Sequence, residues 1–274
     1  PPGCGHRRAT GRGMSWLVIA DDLSGAADCA IGFAAAGAST VVTLDAGSDL
    51  HDARADVIAA DVDSRRLAPA DAARRNLDAW QRFGAGRRLY KKIDSTLRGN
   101  WAAETAALQP AAGMAIVAPA FPATGRTARD GKVLVQGQPL GHTDIWRLEG
   151  LSGDADLVAL LSAQGLSVAL ADLDIVRAGV PALREHLTVL AASHTQAVVC
   201  DAETDATWRR WHKPRHNCRR LRSGSAPADW PAAWPTRCRY HPPSPQKAPR
   251  RARPAPCSRW SAACPACARG RWPC

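Results

Sequence analysis

The chain lacks both a GxxxxGK[ST] run and a GxGxxG run. The two commonest loops for cradling nucleotide phosphates are therefore missing from its 274 residues. No stretch approaches the roughly 18–20 apolar residues of a membrane-spanning helix. Phe and Tyr are scarce, with three and two residues. The eight His residues form no metal constellation. His142 lies in Gly141-His142-Thr143-Asp144 and reads as a solvated loop residue, while His51 and His186 read as surface positions. Of nine Cys, six fall after residue 205. Cys264-Pro265-Ala266-Cys267 has CxxC spacing but no second pair at zinc-finger spacing, which argues against structural zinc. Cys29 and Cys200 read as small buried thiols, suited to a reducing cytoplasm. Arg7, Arg8 and Arg12 are not followed by an apolar core of about 7–15 residues, so residues 1–13 do not read as a signal peptide.

Charge and composition divide the chain into three unlike pieces. Residues 1–13 carry three Arg and no acid, and Met14 is the expected start. Residues 14–205 hold 17 Lys and Arg against 24 Asp and Glu, for a net charge of −7. Residues 206–274 hold 16 Lys and Arg against the single acid Asp229, for a net charge of +15. The overall +11 is thus not a property of the middle piece. The last piece has 12 Pro, 6 Trp and 6 Cys, one Leu (Leu221), and no Ile, Val, Met or Phe. Such a segment cannot build an aliphatic core, so disorder is expected. Its scattered, Pro-broken charge fits no nucleic-acid module, and no specific nucleic-acid partner is expected. Trp, Arg, Pro and Cys are what GC-rich codons yield out of frame. Codons for Leu-Ala-Gly-Arg-Leu-Ala-His-Ala, shifted by one base, give Trp230-Pro231-Ala232-Ala233-Trp234-Pro235-Thr236-Arg237. A reading-frame shift just after Asp205 is the expectation.

Residues 14–205 alternate strand and helix patterns. Short apolar runs predict strands near 15–20, 39–44, 55–60, 87–93, 114–118, 132–136, 167–171 and 196–200. Helices are predicted near 24–36, 69–83, 100–109, 154–163 and 180–192, the first capped by Ser24 and stopped by Gly37. This order predicts an α/β, Rossmann-like domain, a mostly parallel sheet with helices on both faces.

Two runs carry chemistry. Trp16-Leu17-Val18-Ile19-Ala20 leads into Asp21-Asp22-Leu23-Ser24-Gly25-Ala26. Paired carboxylates at a strand end suit hydroxyl binding, metal binding or base work, or simply favour a helix N-terminus. Lys91-Lys92-Ile93-Asp94-Ser95-Thr96-Leu97-Arg98-Gly99-Asn100 gathers cations, a carboxylate and hydroxyls where a strand gives way to a helix. Open α/β sheets bind ligands at such strand ends. Arg66 and Lys91 read as outward charges and Asn100 as a helix cap.

With Asp61-Val62-Asp63-Ser64-Arg65 and Ala118-Pro119-Ala120-Phe121-Pro122-Ala123-Thr124-Gly125-Arg126, these runs resemble the four-carbon acid sugar kinase family over roughly Met14 to Asp205. Ser24 stands where the family usually has Thr. The resemblance implies ATP-dependent phosphorylation of threonate, erythronate or 3-oxo-tetronate, with Mg2+ bridging ATP. It implies that this half binds the sugar acid through Asp21, Asp22, Arg65, Lys92, Asp94, Ser95, Thr96 and Arg98. Arg65 would hold the carboxylate, and Asp22 or Asp94 would serve as base. Nothing after Asp205 matches the family's nucleotide-binding domain. A sugar-acid-binding module, or an inactive truncated product, is the alternative.

Overall fold

The computed structural model describes residues 15–44, 55–151 and 153–210. The expectations for residues 1–13, His51, the Cys264 and Cys267 pair and the remainder of the tail lie outside these residues.

Strands β1 (Trp16–Ala20), β2 (Thr40–Thr43) and β3 (Val57–Asp61) surround helix α1 (Leu23–Ala35) in sequence, and α2 (Pro69–Phe83) leads to β4 (Arg88–Lys92). Helix α3 (Trp101–Ala112) and β5 (Ala115–Val117) follow, then a hairpin of β6 (Arg126–Arg129), β7 (Lys132–Val135) and β8 (Gln138–Pro139). Helices α4 (Asp144–Leu148) and α5 (Leu157–Ser162) precede β9 (Val168–Ala171). Helices α6 (Leu173–Arg177) and α7 (Val180–Ala192), strand β10 (Ala197–Cys200) and helix α8 (Asp205–Arg210) complete the order.

The fold is α/β with mostly parallel pairing, in two parallel sheets and a small antiparallel one of order β6-β7-β8. The first parallel sheet has the order β2-β3-β1-β4, and the second has the order β5-β10-β9. Strand β1 shows why helices cover both faces of the first sheet. Side chains alternate along a strand. Trp16, Val18 and Ala20 pack with Ala26, Cys29, Ala30 and Phe33 of α1. Leu17 and Ile19 pack with Ala79 and Phe83 of α2 and Leu108 of α3. All five β1 residues are buried, which is what a near-continuous apolar run in a parallel sheet signifies.

Several local expectations change. Asp22, not Ser24, caps α1, because its Oδ1 accepts the Gly25 N–H at 2.8 Å. Gly37 does follow the helix, at φ +90°. The predicted strand at 132–136 joins an antiparallel hairpin rather than the parallel sheet. Its partners β6 and β8 are short and polar, with no apolar alternation to betray them. Helix α3 continues past Pro110 to Ala112, ending at Gly113 with φ +87°. Strand β4 lies at a sheet edge and is only half-buried. Cys29 and Cys200 are buried thiols outside any disulfide, and burial pushes the Cys200 thiol up. His186 is half-buried rather than a surface residue. Among the described residues no helix is long and apolar enough to cross a membrane.

Candidate functional site

Parallel register builds the site. Ala20 pairs with Asp61 on one side and with Lys92 on the other, so three neighbouring strands end at one level. The β1, β3 and β4 loops then leave the same sheet edge, carrying Asp21-Asp22, Ser64-Arg65 and Asp94 to Arg98. This is the carboxyl edge, where open parallel sheets collect ligands. Strand alternation turns Lys92 toward α1, where a Cβ on Gly25 would lie 3.2 Å from its Cγ. It turns the adjacent Lys91 the opposite way.

Arg65 is the hub. Its Nε donates to Asp21 Oδ2 at 2.7 Å, its Nη2 to Asp21 Oδ1 at 3.1 Å, and its Nη1 to Asp22 Oδ2 at 2.7 Å. Asp94 Oδ1 stands 3.6 Å from Nη2. Burial alone would lower the Arg65 pKa, but hydrogen bonding to Asp21 and the charges of Asp21, Asp22 and Asp94 raise it overall. The guanidinium is therefore fixed as a cation, and its planar fork matches the carboxylates.

Arg98 makes the second pairing, with Nη2 and Nε donating to Asp94 at 2.6 and 3.0 Å. The Thr96 hydroxyl and N–H also donate to Asp94 Oδ2. Burial pushes the Asp94 carboxyl up, yet the hydrogen bonds from Arg98 and Thr96 outweigh it and hold the group well below the usual range. Both Asp94 oxygens are thus engaged. Asp21 is 5% exposed at its side chain, whereas Asp22 is 30% and Arg98 38%, so the latter two face solvent. Ser95 is half-buried at the turn. Lys92 Nζ donates to the Ile93 carbonyl at 2.8 Å.

Two loop conformations matter. Gly99 takes φ +80°, and a Cβ there would lie 3.2–3.3 Å from Arg65 and Asp21. Asp63 and Leu97 take φ +43° and +59°, left-handed values uncommon for residues with a Cβ and concentrated at functional loops.

The eight residues named from the sequence, Asp21, Asp22, Arg65, Lys92, Asp94, Ser95, Thr96 and Arg98, all lie on these three loops or their strand ends. Arg66 is exposed, as anticipated. Lys91 is not an outward charge, because α3 covers its face and its Nζ pairs with Glu104 at 2.8 Å. Asn100 occupies the α3 N-cap without a side-chain cap bond; its Nδ2 donates instead to Leu67 O at 2.8 Å and Ser64 O at 3.3 Å. Asp61 was not singled out. Burial, then the nearby charges of Asp63, Asp22 and Asp21, raise its pKa despite a bond from the Asp63 N–H. The sequence clue was a carboxylate closing an apolar strand. Glu104, fully buried, was also missed, because acids in a first helical turn usually face solvent.

The family model described as a sugar-binding N-terminal domain matches residues 16–227. A D-threonate kinase of Cupriavidus necator is 61% identical over 225 residues, which span 81% of this chain and 51% of that enzyme. A D-threonate kinase of Salmonella typhimurium is 38% identical over 206 residues, spanning 71% of this chain and 47% of that enzyme. A crystal structure from Bordetella bronchiseptica, a domain-swapped dimer with bound citrate, matches with a TM-score of 0.62 and 34% identity, covering 72% of this chain and 51% of its own. The chain spans about half the length of the curated relatives it matches.

Proposed function

The chain belongs to the four-carbon acid sugar kinase family through its sugar-binding N-terminal domain, and from that premise we propose that it binds a four-carbon sugar acid, D-threonate first, for ATP-dependent phosphorylation. The observation that carries this reading is the ring of carboxylates and guanidinium groups at the carboxyl ends of three adjacent parallel strands. A sugar acid offers one carboxylate and several hydroxyls, and this ring offers fixed cations beside fixed acceptors. The crystallised relative that holds citrate binds a ligand of like chemistry, a hydroxy acid.

The substrate-binding set comprises Asp21, Asp22, Arg65, Lys92, Asp94, Ser95, Thr96 and Arg98, with a division of labour. Asp22 and Arg98, the more open pair, meet the substrate hydroxyls and carboxylate. Arg65 spends three N–H groups on Asp21 and Asp22 and offers its remaining Nη1 hydrogen to the substrate carboxylate. Of the two base candidates, Asp22 suits the role better, since it is the more exposed, whereas Asp94 is buried and its bonds from Arg98 and Thr96 hold it strongly acidic.

ATP and Mg2+ follow from the kinase reading. Among the described residues no group of three or more His, Cys, Asp or Glu side chains is arranged to hold a metal ion, and the site carboxylates are taken up by Arg65 and Arg98. These residues do not fit a resident Mg2+, so no step is derived through metal or nucleotide. We place the nucleotide half in the length of the relatives that this chain does not span.

Calorimetric titration with D-threonate tests the reading. Binding is expected to the wild type and to weaken about 10–100-fold in Arg98→Met and Asp22→Asn, the value of a charge-assisted hydrogen bond. Absence of binding to the wild type removes the proposal. ADP release dependent on threonate, from this chain alone, would overturn the division into halves. Binding without turnover in any longer chain would favour a sugar-acid-binding module.

A further inference from the structure

We propose that Glu104, together with Ser64 and Lys91, is a positioning residue that sets the Arg65 loop from behind the site. Glu104 is fully buried in the first turn of α3. One carboxylate oxygen accepts the Ser64 hydroxyl, and the other faces Lys91 Nζ at 2.8 Å, with the Lys91 side chain 11% exposed. Ser64 immediately precedes Arg65, and Lys91 immediately precedes Lys92. The cluster therefore ties α3 to two of the three segments that carry the site, one residue from the groups that face it.

The loop needs such a tie. Asp63 is held at φ +43°, a conformation that persists only when its surroundings over-determine it. Asp21 and Asp22 hold the far end of the Arg65 side chain, and the other restraints named here act on the loop backbone. Ser64 N and Arg65 N donate to Asp21 O at 3.1 and 3.3 Å, and Asn100 Nδ2 reaches the Ser64 and Leu67 carbonyls. Glu104 adds a directional side-chain anchor. A buried ion pair is a poor device for stability alone, because apolar residues of similar volume often serve as well or better. What it supplies here is direction. It fixes the Ser64 hydroxyl, and through Ser64 the angle at which Arg65 leaves the loop toward Asp21 and Asp22.

The ligand readout of this inference rests on the sugar-acid reading, so its test has a second readout without ligand. The double variant Lys91→Met/Glu104→Leu replaces the pair with apolar side chains, and Ser64→Ala removes the hydroxyl alone. In the double variant the melting temperature is expected to equal or exceed that of the wild type. Amide exchange at Ser64 and Arg65 is expected to accelerate about tenfold or more, as their bonds to Asp21 open more often. D-threonate affinity is expected to fall about tenfold, and Ser64→Ala to move both readouts the same way by less. A double variant that melts, exchanges and binds like the wild type overturns the proposal. If it does not fold, Ser64→Ala decides alone, and unchanged exchange there overturns it. If the wild type does not bind threonate, the substrate reading falls while the exchange comparison still decides the role of Glu104.

Discussion

At the residue scale, the site is a problem in electrostatic accounting. Three carboxylates, Asp21, Asp22 and Asp94, surround one half-buried guanidinium, and Arg98 supplies the second positive charge. Asp61 sits near them, and burial first, then the charges of Asp63, Asp22 and Asp21, raise its pKa. For a carboxylate whose folded pKa is raised, the charged form costs stability above that pKa. The cost disappears as pH falls below the unfolded value, near 3.8. Asp61→Asn, which keeps an acceptor for the Asp63 N–H, should therefore raise the melting temperature at pH 7. The gain should vanish by about pH 3; melting curves at the two pH values check this. Asp94 behaves oppositely. Its depressed pKa contributes stability that is complete above the ordinary carboxylate range and lost as pH falls through the folded value.

At the element scale, loop geometry places these charges. Gly99 combines φ +80° with close approach to Arg65 and Asp21. Gly99→Ala should destabilise the chain by about 1–2 kcal/mol, the cost of a left-handed residue with a Cβ. It should also weaken threonate binding by displacing Arg65. Denaturant melts and calorimetry measure the two effects, and a variant neutral in both would show that the turn tolerates a side chain. Much of this level was legible beforehand. Apolar runs found β1, β3 and β10, and Gly37 marked a helix stop. What escaped were elements without periodicity, such as β6, β8 and the five-residue α4 and α6. Their conformation comes from neighbours, as when the β6–β7 turn donates two backbone N–H groups to buried Asp201. The cap exchange between Ser24 and Asp22 escaped for a related reason: both residue types can cap, and only the backbone position selects one.

At the scale of the whole molecule, residues 14–205 carry a net charge of −7 and residues 206–274 one of +15. The frame-shift expectation after Asp205 is settled by sequencing the DNA across codons 200–274. A lost or gained base whose correction restores an open frame supports it, and an intact frame conserved in related genes removes it. The sequence by itself determined the order of the longer strands and helices, the α/β class and the chemical types in the three site loops, because these depend on local periodicity and on which residues end each strand. Only the tertiary structure decided that Arg65 spends its fork on Asp21 and Asp22, that Lys91 turns inward to Glu104, and that Asp61 stands beside the cluster. Those outcomes depend on which strands lie side by side and which helix covers each face, and a linear sequence does not state those distances.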